Sequence, residues 1–117
     1  MTDEEEFEVL VLQRIREASQ LTGYSFAGLL KLVDALGAFQ TAKDLIAPTP
    51  GNLGRFPKGM RILFDAGLLS HSIEQAVIEF GEEGKLFTPE DVNHANDRLT
   101  LIKTVLSTRS RTPPKIR

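Results

Sequence analysis

The 117 residues are 41% hydrophobic and 26% charged, the size and composition of one folded domain, which excludes an intrinsically disordered chain. The absence of cysteine excludes disulfides, thiolate metal sites and cysteine nucleophiles. The net charge of −2 is uneven, because the last ten residues hold four cations and no acid, and the acidic remainder disfavours wrapping nucleic acid over the whole surface.

The N-terminus has no basic stretch followed by an apolar run, so it does not have the pattern of a signal peptide. No apolar stretch approaches the length that spans a bilayer. We therefore expect a cytoplasmic protein with no membrane segment.

The first predicted helix begins at a capping box, in which Thr2 precedes Glu5 by three residues, and it runs to about Thr22. Gly23 follows in the position of a left-handed C-cap. The helical spacing of its apolar residues predicts an inward face of Phe7, Leu10, Val11, Ile15, Ala18 and Leu21.

Two shorter helices are predicted next. Ser25 is expected to cap the second, whose apolar stripe comprises Phe26, Leu29, Leu30, Val33 and Leu36. Thr41 is expected to cap the third, which Pro48 stops because the residue before a proline avoids helical backbone angles. The twelve residues from Pro48, PTPGNLGRFPKG, contain three prolines and three glycines and predict a loop.

Three further helices are predicted beyond this loop. The fourth begins near Pro57 and turns Met60, Leu63 and Phe64 inward. The fifth is capped by Ser70 or Ser72 and buries Ile73, Ala76, Val77 and Phe80. The sixth has the strongest start, Thr88, Pro89 and Glu90, and buries Val92, Ala95, Leu99, Ile102 and Val105 or Leu106.

These elements predict an all-α fold, a compact bundle of five or six short helices that forms a single domain over residues 1–108. Residues 109–117 contain two prolines and few apolar residues. They are therefore predicted to be a flexible, disordered basic tail.

Asp91, His94 and Asp97 lie at steps of three in the sixth helix, a spacing that could present them to a metal ion. Helical metal sites use a carboxylate and histidine pair twice, whereas the only other histidine, His71, precedes its nearby acid, Glu74. The apolar stripe of this helix lies on a different face, so the three residues are expected to face water. The sequence predicts no metal and no cofactor.

Catalytic motifs are absent from the sequence. There is no Gly-x-Ser-x-Gly elbow, and the glycine-rich stretch GNLGRFPKG lacks the Gly-Lys-Ser/Thr ending and the preceding strand of a phosphate-binding loop. No catalytic residue is predicted, and we expect that the protein is not an enzyme.

Two groups of residues are candidates for binding. Arg55, Phe56, Lys58 and Arg61 interleave cations with an aromatic ring, which could contact phosphates or anchor a partner, although Phe56 could equally pack the loop onto the core. Val9 and Leu12 fall outside the apolar stripe of the first helix. That helix is therefore either central in the bundle or shares a surface with a partner or a second copy of the chain.

The run from Tyr24 to Leu99 resembles a small helical module of unassigned function found in bacterial proteins. The matching segments are GLLKLVDALGAFQTAKDLI, a glycine- and proline-containing loop with Phe56, LFDAGLLSHSIEQAVIE and LFTPEDVNHANDRL. The module often has a proline after the aromatic residue, where this chain has Ser25 and Phe26. The resemblance implies the helical architecture and carries no catalytic residue across.

Together, these observations favour a non-enzymatic protein that binds another macromolecule. The first hypothesis is a protein-binding regulator, inhibitor or accessory subunit that uses Arg55, Phe56, Lys58, Arg61, Val9 and Leu12. The alternative is a nucleic-acid-binding accessory domain that uses the cations Arg55, Lys58, Arg61, Arg109, Arg111, Lys115 and Arg117.

Overall fold

The structure is a computed structural model that describes residues 1–49 and 56–110, with side chains for 1–49 and 56–107. This part of the chain is helical and contains no strand, which confirms the predicted all-α fold. Its elements are α1 (Asp3–Thr22), α2 (Ala27–Leu36), α3 (Ala38–Ile46), α4 (Lys58–Asp65), a 3-10 turn (Leu69–His71), α5 (Ile73–Glu82) and α6 (Pro89–Ser110).

The predicted first residues of α1 and α5, which have a complete capping pattern in the sequence, are confirmed. The Thr2 hydroxyl accepts a hydrogen bond from the Glu5 N–H at 3.1 Å, and the Glu5 carboxylate accepts one from the Thr2 N–H at 2.8 Å. Ser72 accepts from the Gln75 N–H in the same way. Each cap satisfies a backbone donor that the helix itself leaves unpaired, which fixes where the helix begins.

The two predicted caps of α2 and α3 are wrong. α2 begins after Phe26, whose φ of +55° is left-handed, and the side chain of Ser25 plays no part. α3 begins at Ala38, three residues before Thr41, which is buried inside the helix. The Glu8 carboxylate of α1 accepts a hydrogen bond from the Ala38 N–H at 2.9 Å, so a distant residue caps α3.

The core forms around α1, where Phe7, Val11, Ile15 and Ala18 are buried as predicted. Leu10 is only half-buried, and Leu21, also predicted to face inward, is 68% exposed because it lies in the last turn of the helix. The Phe7 ring packs edge-on against Phe80 and Phe87, with ring centres 5.2 and 5.0 Å apart. Such contacts add to the free energy gained from burying the rings. Through these rings α1 packs against the end of α5 and the residues just before α6.

α1 also keeps one exposed face. Leu12 is half-buried and packs against the core, whereas Val9 is 54% exposed. The helix is central in the bundle, since it contacts α3, α4 and α5, but one of its faces is not covered by other helices.

α5 and α6 run antiparallel along each other. Gly81 near the end of α5 meets Val92 near the start of α6, and Glu74 near the start of α5 meets Arg98 further along α6. A Cβ on Gly81 would lie 2.1 Å from Cγ2 of Val92, so only glycine allows this approach.

The last helix extends past the predicted domain boundary at residue 108, because α6 continues to Ser110. No proline or glycine interrupts the sequence before Pro113, so nothing in it stops the helix at 108. The rest of the predicted tail, residues 111–117, lies outside the described residues, as do residues 50–55 of the predicted loop.

Candidate binding cleft

α2 exposes an apolar edge formed by Leu29, Leu32 and Leu36, which we call the leucine edge. These residues are spaced by three and four and so lie along one side of the helix. Leu32 is 43% exposed and Leu36 48% exposed. The sequence placed Leu36 and Leu30 in an inward stripe, but α2 packs mainly on α3 and is too thinly covered to bury them.

Beside the leucine edge lies a cleft of about 320 Å³ between α1, α2, α4 and α5. Exposed residues at its rim include Gly28, Leu32 and Lys58. Most of its lining is apolar and includes Ile15, Phe26, Leu29, Leu45, Met60, Leu63 and Ile73. A concave apolar surface of this size is typical of sites that bind a small molecule or a large side chain.

Two charged residues line the cleft and are buried beneath it. Glu74 is 1% and Arg98 4% exposed, and Nε of Arg98 donates to Oε2 of Glu74 at 2.6 Å. The guanidinium of Arg98 also lies 5.7 Å from the ring centre of Phe56. The second oxygen of Glu74, Oε1, has no hydrogen-bond partner within the described part of the chain.

The two ends of the leucine edge carry opposite charge. At the start of α2, Lys58 lines the cleft and its Nζ lies 5.7 Å from the ring centre of Tyr24. At the end of α2, Leu36 borders a second, polar cleft lined by Glu4, Glu5 and Glu8, which we call the acidic end. A partner lying along this edge would therefore meet a cation at one end and carboxylates at the other.

The predicted partner-binding residues are not gathered in one place. Lys58 lines the cleft, and Arg61 is exposed on α4. Phe56 instead packs against the buried cluster of Met60, Ile102 and Leu106, so its ring contributes to the core and not to a binding surface. Val9 and Leu12 belong to α1 and do not line the cleft. Arg55 lies outside the described residues.

The cations of the nucleic-acid alternative fall mostly beyond the described side chains. Arg109 lies within α6, but its side chain is not described, and Arg111, Lys115 and Arg117 lie outside the described residues. The structure describes the side chains of Lys58 and Arg61, and both are exposed.

The predicted water-facing triplet on α6 is only partly correct. His94 is half-buried and Asp97 exposed, but Asp91 is buried, because it caps α6 and pairs with α3. Asp91 accepts from the Thr88 N–H at 3.1 Å and from Nζ of Lys43 at 3.0 Å. Over residues 1–49 and 56–110, no three acidic or histidine side chains are close enough together to hold a metal ion.

We expect His94 to be dispensable. His94→Ala should keep the thermal midpoint of the wild type, and zinc, manganese or iron should change neither midpoint, because a metal that binds only the native state would raise stability with its concentration. Thermal unfolding by circular dichroism measures both. A metal-dependent rise that disappears in His94→Ala would contradict the prediction.

The environment of Asp91 predicts a pH dependence. Burial alone raises the pKa of Asp91, but the Thr88 N–H and the Lys43 ammonium outweigh burial and hold the pKa below its ordinary value. A lowered folded-state pKa stabilises the protein above the unfolded pKa, and this contribution is lost as pH falls through the folded value.

Asp91→Asn should therefore lower the free energy of unfolding at neutral pH by about 1 kcal/mol or less, the range of a partly exposed ion pair. The difference from wild type should begin to close below about pH 4, the ordinary pKa of an aspartate, and should vanish only below the lower folded-state pKa. Urea unfolding at several pH values measures it. Asp97→Asn, an exposed acid on the same helix, is the control, and an equal pH dependence in both variants would show that Asp91 is not the source.

Sequence reasoning missed Glu74 and Arg98 as a pair. Both lie within the apolar stripes of their helices, Glu74 beside Ile73 and Val77, and Arg98 between Ala95 and Ile102. Opposite charges on the inward faces of two successive helices were the available signal, since buried charges are nearly always paired.

None of the described helices combines the length and apolar character that crossing a bilayer requires. Comparison of the chain with protein-family models, curated proteins and solved structures finds no match. The resemblance of residues 24–99 to a bacterial helical module therefore stays a prediction.

Proposed function

We propose that this protein is a non-enzymatic, protein-binding module, a regulator or accessory subunit, whose partner docks on the leucine edge. The observation that carries the proposal is the exposure of Leu32 and Leu36 next to an apolar cleft. An exposed apolar patch beside a concave surface is typical of a protein-protein contact, in which a few buried anchors supply most of the affinity.

Charge around the edge specifies the partner further. The acidic end, Glu4, Glu5 and Glu8, borders Leu36, while Lys58 lies at the other end. A short amphipathic helix with apolar residues three and four positions apart, and a basic residue at the end that meets the carboxylates, matches both features. Such a helix would place one large apolar side chain in the cleft.

Peptide selection tests this proposal. A displayed library of short helical peptides, selected on the immobilised protein, should yield sequences with the apolar spacing described above and a basic residue at one end. Leu32→Glu should weaken binding of a selected peptide about 30-fold, the loss of a typical anchor, as measured by fluorescence anisotropy.

Leu30→Glu is the matched control, because Leu30 is 38% exposed on the same helix but does not line the cleft. It should leave affinity within about threefold of wild type, well under the loss of an anchor residue. Equal losses in the two variants, or no selected sequence at all, would defeat the proposal.

Glu4→Lys should remove the preference of the selected peptides for a basic residue.

The nucleic-acid alternative predicts different behaviour. Binding of duplex DNA would weaken steeply with salt, with a slope of roughly −0.9 for each neutralised phosphate. It would also be lost when Lys58 and Arg61 are changed to alanine. We propose instead that DNA binds weakly and without selectivity, because carboxylates of the acidic end oppose it.

A further inference from the structure

Glu74, which lines the cleft, has one carboxylate oxygen that accepts no hydrogen bond from the part of the chain that the structure describes. Oε1 of Glu74 is closed off from bulk solvent and has no hydrogen-bond partner within the described residues, while Oε2 is held by Arg98 at 2.6 Å. Buried polar atoms in folded proteins nearly always have a partner, because an unpaired one loses its hydration without compensation. An unpaired carboxylate oxygen on a residue that lines a cleft therefore points to a ligand that supplies the donor.

The charges near the cleft indicate that this ligand is neutral. The guanidinium of Arg98 already balances the carboxylate of Glu74. Two further ionisable side chains in the lining have other contacts: Nε2 of His71 lies 3.2 Å from Oε1 of Glu17, and Nζ of Lys58 lies 5.7 Å from the ring centre of Tyr24. A cationic ligand would add an uncompensated charge beside Arg98, and an anionic one would face the Glu74 oxygen, so both would be costly in an apolar surrounding.

The other residues that line the cleft indicate the chemical character of the rest of the ligand. Leu29, Leu45, Met60 and Leu63 offer hydrocarbon contacts and no further strong polar group. The cavity of about 320 Å³ lies at the small end of ligand sites. Because the terminal torsion of a glutamate has a broad minimum, the carboxylate can adjust to a donor in the cleft without a large conformational cost.

We propose that the cleft binds a small neutral alcohol, whose hydroxyl donates a hydrogen bond to Oε1 of Glu74 and whose hydrocarbon body packs against Leu29, Leu32 and Leu63. The alcohol would occupy the place in the cleft that the proposed function gives to an apolar side chain of the partner, so the two would compete, but binding of the alcohol does not require a partner. The Glu74–Arg98 pair selects the hydroxyl, and the apolar lining binds the hydrocarbon.

A matched pair of probes tests the proposal. Cyclohexylmethanol and its methyl ether have nearly the same hydrocarbon body, but only the alcohol can donate a hydrogen bond. Tyr24 lines the cleft and is the only tyrosine in a chain without tryptophan, so its fluorescence reports binding of these non-absorbing probes. The alcohol should bind about tenfold more tightly than the ether or better, as expected for a hydrogen bond to a charged acceptor.

Methyl NMR spectra locate the probe, and the alcohol should shift the methyl signals of Leu29, Leu32 and Leu63. Glu74→Gln keeps the size of the side chain and can keep the bond from Arg98, but it can place an amide donor where Oε1 was. In that variant the ether should bind at least as well as the alcohol.

Three results would overturn the proposal: equal binding of alcohol and ether to the wild type, no binding of the alcohol, or shifts confined to other methyl groups. If Glu74→Gln does not fold, the comparison of the two probes on the wild type, with the methyl shifts, decides alone. The Leu30→Glu variant, changed outside the cleft, should bind both probes as the wild type does.

Discussion

Arg98→Met is expected to lower the free energy of unfolding by about 3–5 kcal/mol, the cost of leaving one member of a buried ion pair without its partner. Glu74 is almost wholly buried and accepts its hydrogen bond from Arg98. Methionine fills much of the space of arginine but supplies neither charge nor donor. Urea unfolding at neutral pH measures the change.

The double variant Glu74→Leu/Arg98→Met is the decisive control. It replaces both charges by apolar side chains, and such replacements are often neutral or stabilising, because both desolvation costs disappear. We expect it to be at least about 2 kcal/mol more stable than Arg98→Met alone. A double variant that is no more stable than the single one would show that the unpaired charge of Glu74 is not the cause of the loss.

Gly81→Ala should destabilise the protein by about 1–3 kcal/mol, because the added methyl group overpacks the contact between α5 and α6. The new Cβ would lie 2.1 Å from Cγ2 of Val92, and the β-branched side chain of valine has few other rotamers to adopt in a helix. The helix-forming preference of alanine offsets only part of the clash. Thermal and urea unfolding measure the result.

Two companion variants separate the clash from helix propensity. Gly81→Ala/Val92→Ala removes the obstructing methyl groups and should recover part of the loss. Gly28→Ala introduces the same change on α2, where the Cβ meets nothing within 4 Å, and should stabilise by up to about 1 kcal/mol. If Gly81→Ala and Gly28→Ala change the free energy of unfolding equally, close packing against Val92 does not explain why position 81 is a glycine.

The sequence correctly predicted the first residue of each helix whose start is capped by a side chain close by in the sequence. α1, α5 and α6 start at side-chain caps from their own residues, Thr2, Ser72 and Thr88, and these starts are confirmed. The first residues of α2 and α3 were not predicted, because one starts at a left-handed Phe26 and the other is capped by Glu8, thirty positions earlier. Neither arrangement leaves a local pattern.

The candidate cleft was not predicted, for two physical reasons. The apolar spacing of α2 identifies leucines that suit a core but does not say whether another helix covers them, and Leu32 and Leu36 are left exposed. Glu74 and Arg98 lie within apolar stripes in the sequence, but only the packing of α5 on α6 shows that the two side chains meet. Which parts of a helix are covered is decided by tertiary packing, which short-range spacing does not encode.

The hydrogen bond from the Ala38 N–H to Glu8 has a consequence for how the chain folds. α1 carries its own capping box and can start without help, whereas α3, only nine residues long, takes its first-turn acceptor from α1. A helix that short is marginal alone in water. The start of α3 therefore forms together with the docking of the two helices, and exchange of the Ala38 amide hydrogen reports that docking event.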